Sequence, residues 1–148
     1  MSDNIFVKKR EFTSLEGFAR FIFTLFQFGR VEEHQSVNYW GGHYYLAFSN
    51  KASLTVALQD HTGFQDYDYW LSVELATSNS EDEVKLGREL ARALALNDFK
   101  VARPFSKEDW LYKSSIVRRV VYRKKILNED AVGESEAVDE TLEYFKVP

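Results

Sequence analysis

From Ser53 to Leu75 the chain alternates apolar and polar residues in two successive runs, and this period of two restricts the fold more than any other feature. Leu54, Val56 and Leu58 interleave with Ser53, Thr55, Ala57 and Gln59. After the loop Asp60-His61-Thr62-Gly63, Tyr67, Tyr69, Leu71, Val73 and Leu75 interleave with Asp66, Asp68, Trp70, Ser72 and Glu74. Successive side chains of a strand point to opposite faces, so these runs predict strands with one buried and one wet face. Tyr44 to Ser49 forms a similar run, joined to the next by the turn residues Asn50-Lys51. Connections this short link antiparallel neighbours, and an antiparallel meander follows.

The meander needs a lid, and the sequence offers two. Thr13-Ser14-Leu15-Glu16 has the form of a capping box with Thr13 as N-cap. Leu15, Phe18, Ala19, Ile22, Leu25 and Phe26 then fall on one helical face, widened by Phe21, Phe23 and Phe28, with Gly29 as the expected C′ residue. So apolar a helix is expected at the centre of the core. Ser80-Glu81-Asp82-Glu83 is a second capping box. It opens a helix whose stripe is Val84, Leu86, Leu90, Ala91, Leu94 and Ala95. Ile5–Phe12, Phe99–Ala102 and the β-branched run Ser115–Leu127 read as further strands, and Ser106–Leu111 as one helical turn. Asn128–Glu134 reads as a loop and Ser135–Phe145 as a short acidic terminal helix. At 148 residues, 45% hydrophobic, the chain is long enough for one core and too short for two. The expected fold is a single α+β domain, residues 1–148: an antiparallel meander packed against a Phe-rich core helix and a second amphipathic helix, with a short acidic C-terminal helix.

Chemistry-bearing motifs are absent. There is no G-x-S-x-G, P-loop, G-x-G-x-x-G, H-E-x-x-H or EF-hand pattern. The pair Gly41-Gly42 precedes a strand, where a phosphate cradle would need a helix, and reads as a tight turn. With no Cys, disulfides and thiolate chemistry are excluded. His34, His43 and His61 have no metal-ligand spacing, so neither a metal nor a cofactor is expected. Met1-Ser2-Asp3-Asn4 lacks the basic start of a signal peptide, and Phe18–Phe28 is broken by Arg20, Thr24 and Gln27, which predicts a soluble cytoplasmic protein without a membrane span.

Charge is the remaining signal. Residues 128–148 hold seven acids against one Lys, a net of −6, so residues 1–127 carry +2 of the total −4. Lys113–Lys125 holds six basic residues and no acid, with Arg119, Arg123 and Lys125 on one face of a strand and Arg118 and Lys124 on the other. Pairing between this strip and the acidic segment is the structural expectation. Phosphate contact with nucleic acid is the functional alternative, disfavoured by a pI of 5.4.

The outward face of the meander is expected to show His43, Tyr45, Gln59, Trp70 and Glu74. A Trp there is anomalous: it is either covered or anchors a partner, as Trp and Tyr do. Trp70, Tyr45, Trp40, Glu136, Asp139 and Glu140 are therefore the candidate partner-binding residues. The expected function is non-catalytic protein binding, of the kind by which small acidic immunity or antitoxin proteins neutralise basic toxin domains, an analogy of composition. A small-molecule site or an unfamiliar enzyme built on Asp60, His61, Asp66 and Asp68 is the second reading, and nucleic-acid association through residues 113–125 the third.

Overall fold

The computed structural model describes residues 3–9, 14–76, 79–111, 115–125 and 137–148. Eight strands form one antiparallel sheet: β1 (Asp3–Val7), β2 (Gly29–Gln35), β3 (His43–Phe48), β4 (Ala52–Leu58), β5 (Tyr69–Leu75), β6 (Val101–Pro104), β7 (Ile116–Lys124) and β8 (Val138–Lys146), in the order β2-β3-β4-β5-β1-β6-β7-β8. Among the described residues three α-helices accompany them: α1 (Leu15–Leu25), α2 (Ser80–Leu96) and α3 (Lys107–Leu111). The fold is α+β, with β4 and β5 in the phase that the alternation predicts and β3 in the opposite one, its Tyr45 and Ala47 turned inward. Leu54, Val56, Leu71 and Val73 are buried, Leu58 and Leu75 half-buried, and Glu74 exposed.

Helix α1 covers the meander. Ser14, one residue after the expected Thr13, is its N-cap: Oγ accepts from the Gly17 N–H at 3.1 Å. Phe18, Ala19, Ile22 and Phe23 are buried, and the Phe18 ring stacks on Tyr69 at 3.9 Å between centroids. Gly29 is not the left-handed residue after the helix. Gln27 takes that role at φ 58°, and Gly29 begins β2. Gly41 and Gly42 both sit at φ 76°, so the turn between β2 and β3 uses the conformational freedom the pair provides. Helix α2 is capped by Asn79 rather than Ser80, through hydrogen bonds from the Glu81 and Asp82 N–H groups. Its buried face is Glu83, Gly87, Leu90, Ala91, Leu94 and Ala95, leaving Val84 about half exposed.

Four expectations are corrected. The described part of the expected helix Ser135–Phe145 is not helical: Val138–Lys146 is the edge strand β8, in register with β7 so that Glu143 faces Arg119 and Asp139 faces Arg123. Cross-strand charge pairing accounts for the strand, and a helix would forgo it. The β2 strand was not anticipated, because Gly-Arg-Val-Glu-Glu-His-Gln is a polar edge strand with little alternation to read. The first strand ends at Val7, short of Phe12. Nor is the second face of the sheet wet throughout. Phe6, Phe64, Tyr67, Ala102, Val117, Val121 and Val147 form a second core over β1, β6 and β7, opposite the one under α1 and α2 and bordered by Trp70 of β5. The loop expected at Asn128–Glu134 lies outside the described residues.

Truncating Ile22 to Ala, beneath the sheet in α1, should cost roughly 2–5 kcal/mol in chemical denaturation, the range for a buried aliphatic that leaves a cavity.

Candidate binding surface and its cleft

The residues of the Asp-His loop engage separate partners. The His61 Nδ1 accepts from the Gly63 N–H at 3.2 Å, and Nε2 lies 2.7 Å from the Trp110 carbonyl oxygen. An Nδ1 that accepts and an Nε2 that donates define the neutral tautomer with its proton on Nε2. The ring stacks on Trp110 at 4.5 Å. Asp66 turns away to Arg119, and Asp68 accepts from the Lys9 N–H at 2.5 Å. His61 and Asp66 thus fasten the loop onto the second core.

The Trp70 anomaly has the same origin. Its ring lies between Tyr39, 5.8 Å away, and Trp110, 6.2 Å away, and its Nε1–H donates to Asn4 Oδ1 at 3.0 Å. Trp70 is half-buried cover for the second core. Tyr45 is not on the outward face: it opposes Val56 and packs in the core beneath α1. The all-apolar run Tyr44–Phe48 gives alternation no polar marker to fix its phase. Glu136 lies outside the described residues, as does the side chain of Trp40.

The basic strip is largely neutralised. Arg119 is 1% exposed and holds Asp66 through two bonds, at 2.7 and 3.0 Å, with Glu143 as a further partner. Burial alone would raise the Asp66 pKa, but the Arg119 contacts hold it below the usual carboxylate value. Arg118 pairs with Asp109 at 3.3 Å, Lys124 with Asp98 and Lys125 with Asp139, each of the last two at 3.6 Å. Glu140 takes two bonds from Arg88 at 2.7 Å, and these lower its pKa. Arg123 sits opposite Asp139 in the β7–β8 register. Asp139 and Glu140 are exposed, yet both serve ion pairs within the chain.

Two features that the sequence reading did not single out lie side by side. The first is a cleft of about 450 Å³ between the start of α2, the end of β6 and α3. Its polar lining includes Asp3, Asn4, Glu83 and Arg103, and its apolar lining Val84, Phe105, Trp110 and Leu111. Arg103, 7% exposed, donates through Nε to Asp3 Oδ2 at 3.0 Å, and also to the Tyr122 hydroxyl and the Val84 carbonyl. Burial pushes the Asp3 pKa up to about 6 despite that pair, and nearby Glu83 adds to the rise. Glu83 is 2% exposed; one carboxylate oxygen accepts from the Leu75 N–H, and Oε1 has no hydrogen-bond partner among the described residues. Gly87 makes the arrangement possible, since a Cβ there would stand 1.6 Å from Asp3 Oδ2. An isolated Gly inside a helical pattern was the one sequence signal for this site.

The second feature is an uncovered apolar row at the open edge of the sheet. The Phe105 N–H bonds the Arg118 carbonyl, Arg118 faces Tyr144 in register, and its guanidinium lies 4.9 Å from the centre of the Phe105 ring. Tyr144 is 66% exposed and Phe105 50%, with the exposed Ile116 and Leu142 beside them on β7 and β8. Phe105 belongs to both features, so row and cleft form one surface.

Comparison with family models, with curated proteins and with solved structures returns no match. Among the described residues no helix is long and apolar enough to cross a membrane.

Gly87→Ala raises helix propensity by about 1 kcal/mol but drives a methyl into Asp3. It should destabilise the protein by thermal melting, and Asp3→Ala in the same chain should remove most of that penalty. Asp3 also predicts a pH effect. Its folded pKa of about 6 exceeds the unfolded 3.8, so its stabilising contribution is complete below pH 3.8 and is lost as pH rises through 6. Relative to Asp3→Asn, the wild type should lose on the order of 3 kcal/mol between those limits in urea titrations.

Proposed function

We propose that this domain acts by binding another protein, of basic character, in the manner of an immunity or antitoxin-type inhibitor. The uncovered row Phe105–Arg118–Tyr144, flanked by Ile116 and Leu142, is the observation that carries this reading. Aromatic side chains and Arg are the groups that most often dominate protein–protein binding energy, and here they lie together at the rim of a rigid sheet. A stable interface engages about 20–30 residues a side, more than the five of the row. Contact therefore extends across the neighbouring cleft.

Charge selects the partner. The chain carries −4, and exposed Glu81 and Glu108 adjoin the cleft-lining Ser80 and Lys107. Such a surface steers a basic protein toward it. Pairing of Arg118, Arg119, Lys124 and Lys125 with carboxylates weighs against a phosphate-binding role for the strip.

The test is titration calorimetry against the protein encoded beside this chain's gene, together with growth rescue on co-expression. A saturable one-to-one complex is expected, with Tyr144→Ala and Phe105→Ala each weakening it by roughly tenfold or more. Asp60→Ala, in an exposed turn, should leave affinity unchanged. Absence of any complex, with a measurable turnover abolished by Glu83→Gln, would overturn the reading in favour of an enzyme.

A further inference from the structure

We infer that the cleft between α2 and α3 receives an arginine side chain of the partner, with Glu83 as its principal acceptor and Phe105 and Trp110 as its aromatic walls. This rests on the protein-binding reading and names its anchoring contact.

The cleft has a buried charge imbalance. Asp3 and Glu83 are two carboxylates, and Arg103 is the one buried cation among the lining residues. Asp3 uses Arg103 fully, through contacts from Nε and Nη2 at 3.0 and 2.9 Å. Glu83 receives only the Leu75 amide, and its Oε1 is buried without a partner among the described residues. A buried carboxylate oxygen left in that state costs free energy that an incoming cationic donor recovers. Burial raises the Asp3 pKa, and the neighbouring Glu83 adds a smaller rise.

Shape and wall chemistry favour a guanidinium. About 450 Å³ accommodates a long side chain, and the apolar lining of Val84, Phe105, Trp110 and Leu111 suits its methylene stem. A guanidinium stacks on aromatic faces and donates in a planar fork to carboxylates, whereas an ammonium, more strongly hydrated, gives up more on burial. The lack of a Cβ at Gly87 allows Asp3 to settle against α2, so the lining is built into the packing of the helix.

The probe is N-acetyl-arginine methylamide, titrated into the isotopically labelled full chain and followed by NMR. N-acetyl-norleucine methylamide and N-acetyl-lysine methylamide are run in parallel. The arginine probe should saturate with a Kd of about millimolar order, typical of a single anchored side chain. It should shift the Trp110 indole N–H and the amides of residues 80–84. Lysine should bind more weakly and norleucine not measurably. Glu83→Gln should weaken the arginine probe at least tenfold, with the fold checked by circular dichroism. Val84→Trp, which fills the mouth from an exposed helical position, provides a second loss that leaves the carboxylates in place. The probe should also compete with the partner protein. Equal binding of norleucine, an arginine affinity indifferent to both substitutions, or a partner complex that leaves the probe bound, would each overturn the inference. In the last case, a complex still sensitive to Tyr144→Ala would leave the protein-binding reading standing.

Discussion

Arg119 is a cation held at 1% exposure within a β-sheet, and the C-terminal third of the structure depends on how that charge is satisfied. A buried ion is tolerable only when well paired, and stripping one partner from such an arrangement typically costs about 3–5 kcal/mol. Arg119 draws three partners from two places: Asp66 and the Gly63 carbonyl from the loop before β5, and Glu143 from β8. The rings of Phe64, Tyr67 and Phe145 surround the guanidinium, with Phe145 the nearest at 4.3 Å. One side chain on β7 therefore fastens the edge strand to the centre of the molecule. Without it, β8 would keep its ladder to β7 but lose its link to the Asp66 loop.

The second core spreads that order toward the cleft and the exposed row. Phe6 stacks on Phe64 at 3.9 Å, His61 stacks on Trp110, and Trp110 neighbours Trp70. This aromatic seam holds the short helix α3 against the sheet, although five residues would not be stable as a helix alone. Trp110 is shared: it packs in the seam and also lines the cleft. Asp109, one residue earlier, accepts from the Arg118 N–H and guanidinium and so fixes the residue at the middle of the exposed row. The loop residues that resembled a catalytic cluster instead brace the scaffold behind the surface.

What could be read from the sequence divides along the distance between interacting groups. Strands β4 and β5 were legible because Leu54, Val56, Leu71 and Val73 carry their burial in local alternation, and α1 because its phenylalanines repeat at helical spacing. The edge strands were not. β2 is polar throughout, and the acids of β8 suit a helix as well as a strand until Arg119 and Arg123 are placed opposite them. Trp70 looked displaced only because the second apolar layer, drawn from residues as distant as Phe6 and Val147, has no local signature. The cleft was hidden for the same reason. Asp3 and Arg103 are a hundred residues apart, and the one trace of their meeting was Gly87 within an otherwise regular helical stripe.

The strand order has a consequence for how the protein is made. Residues 3–76 supply five adjacent strands, β2-β3-β4-β5-β1, and the helix α1. Within the sheet the remainder joins through β6, which meets β1 over only two register pairs, Phe6 with Ala102 and Val7 with Val101, while α2 packs across β1 and β5. At roughly 5–20 residues per second, a ribosome holds the first half for seconds before β6 to β8 emerge. During that interval β1 presents an open edge and Phe6 lacks the cover of Val117 and Val121. The cleft takes Asp3 from the early half and Glu83, Arg103 and Trp110 from the late one. A nascent chain therefore has no complete cleft until α3 has been made, and no exposed Arg118–Tyr144 row until β7 and β8 have followed.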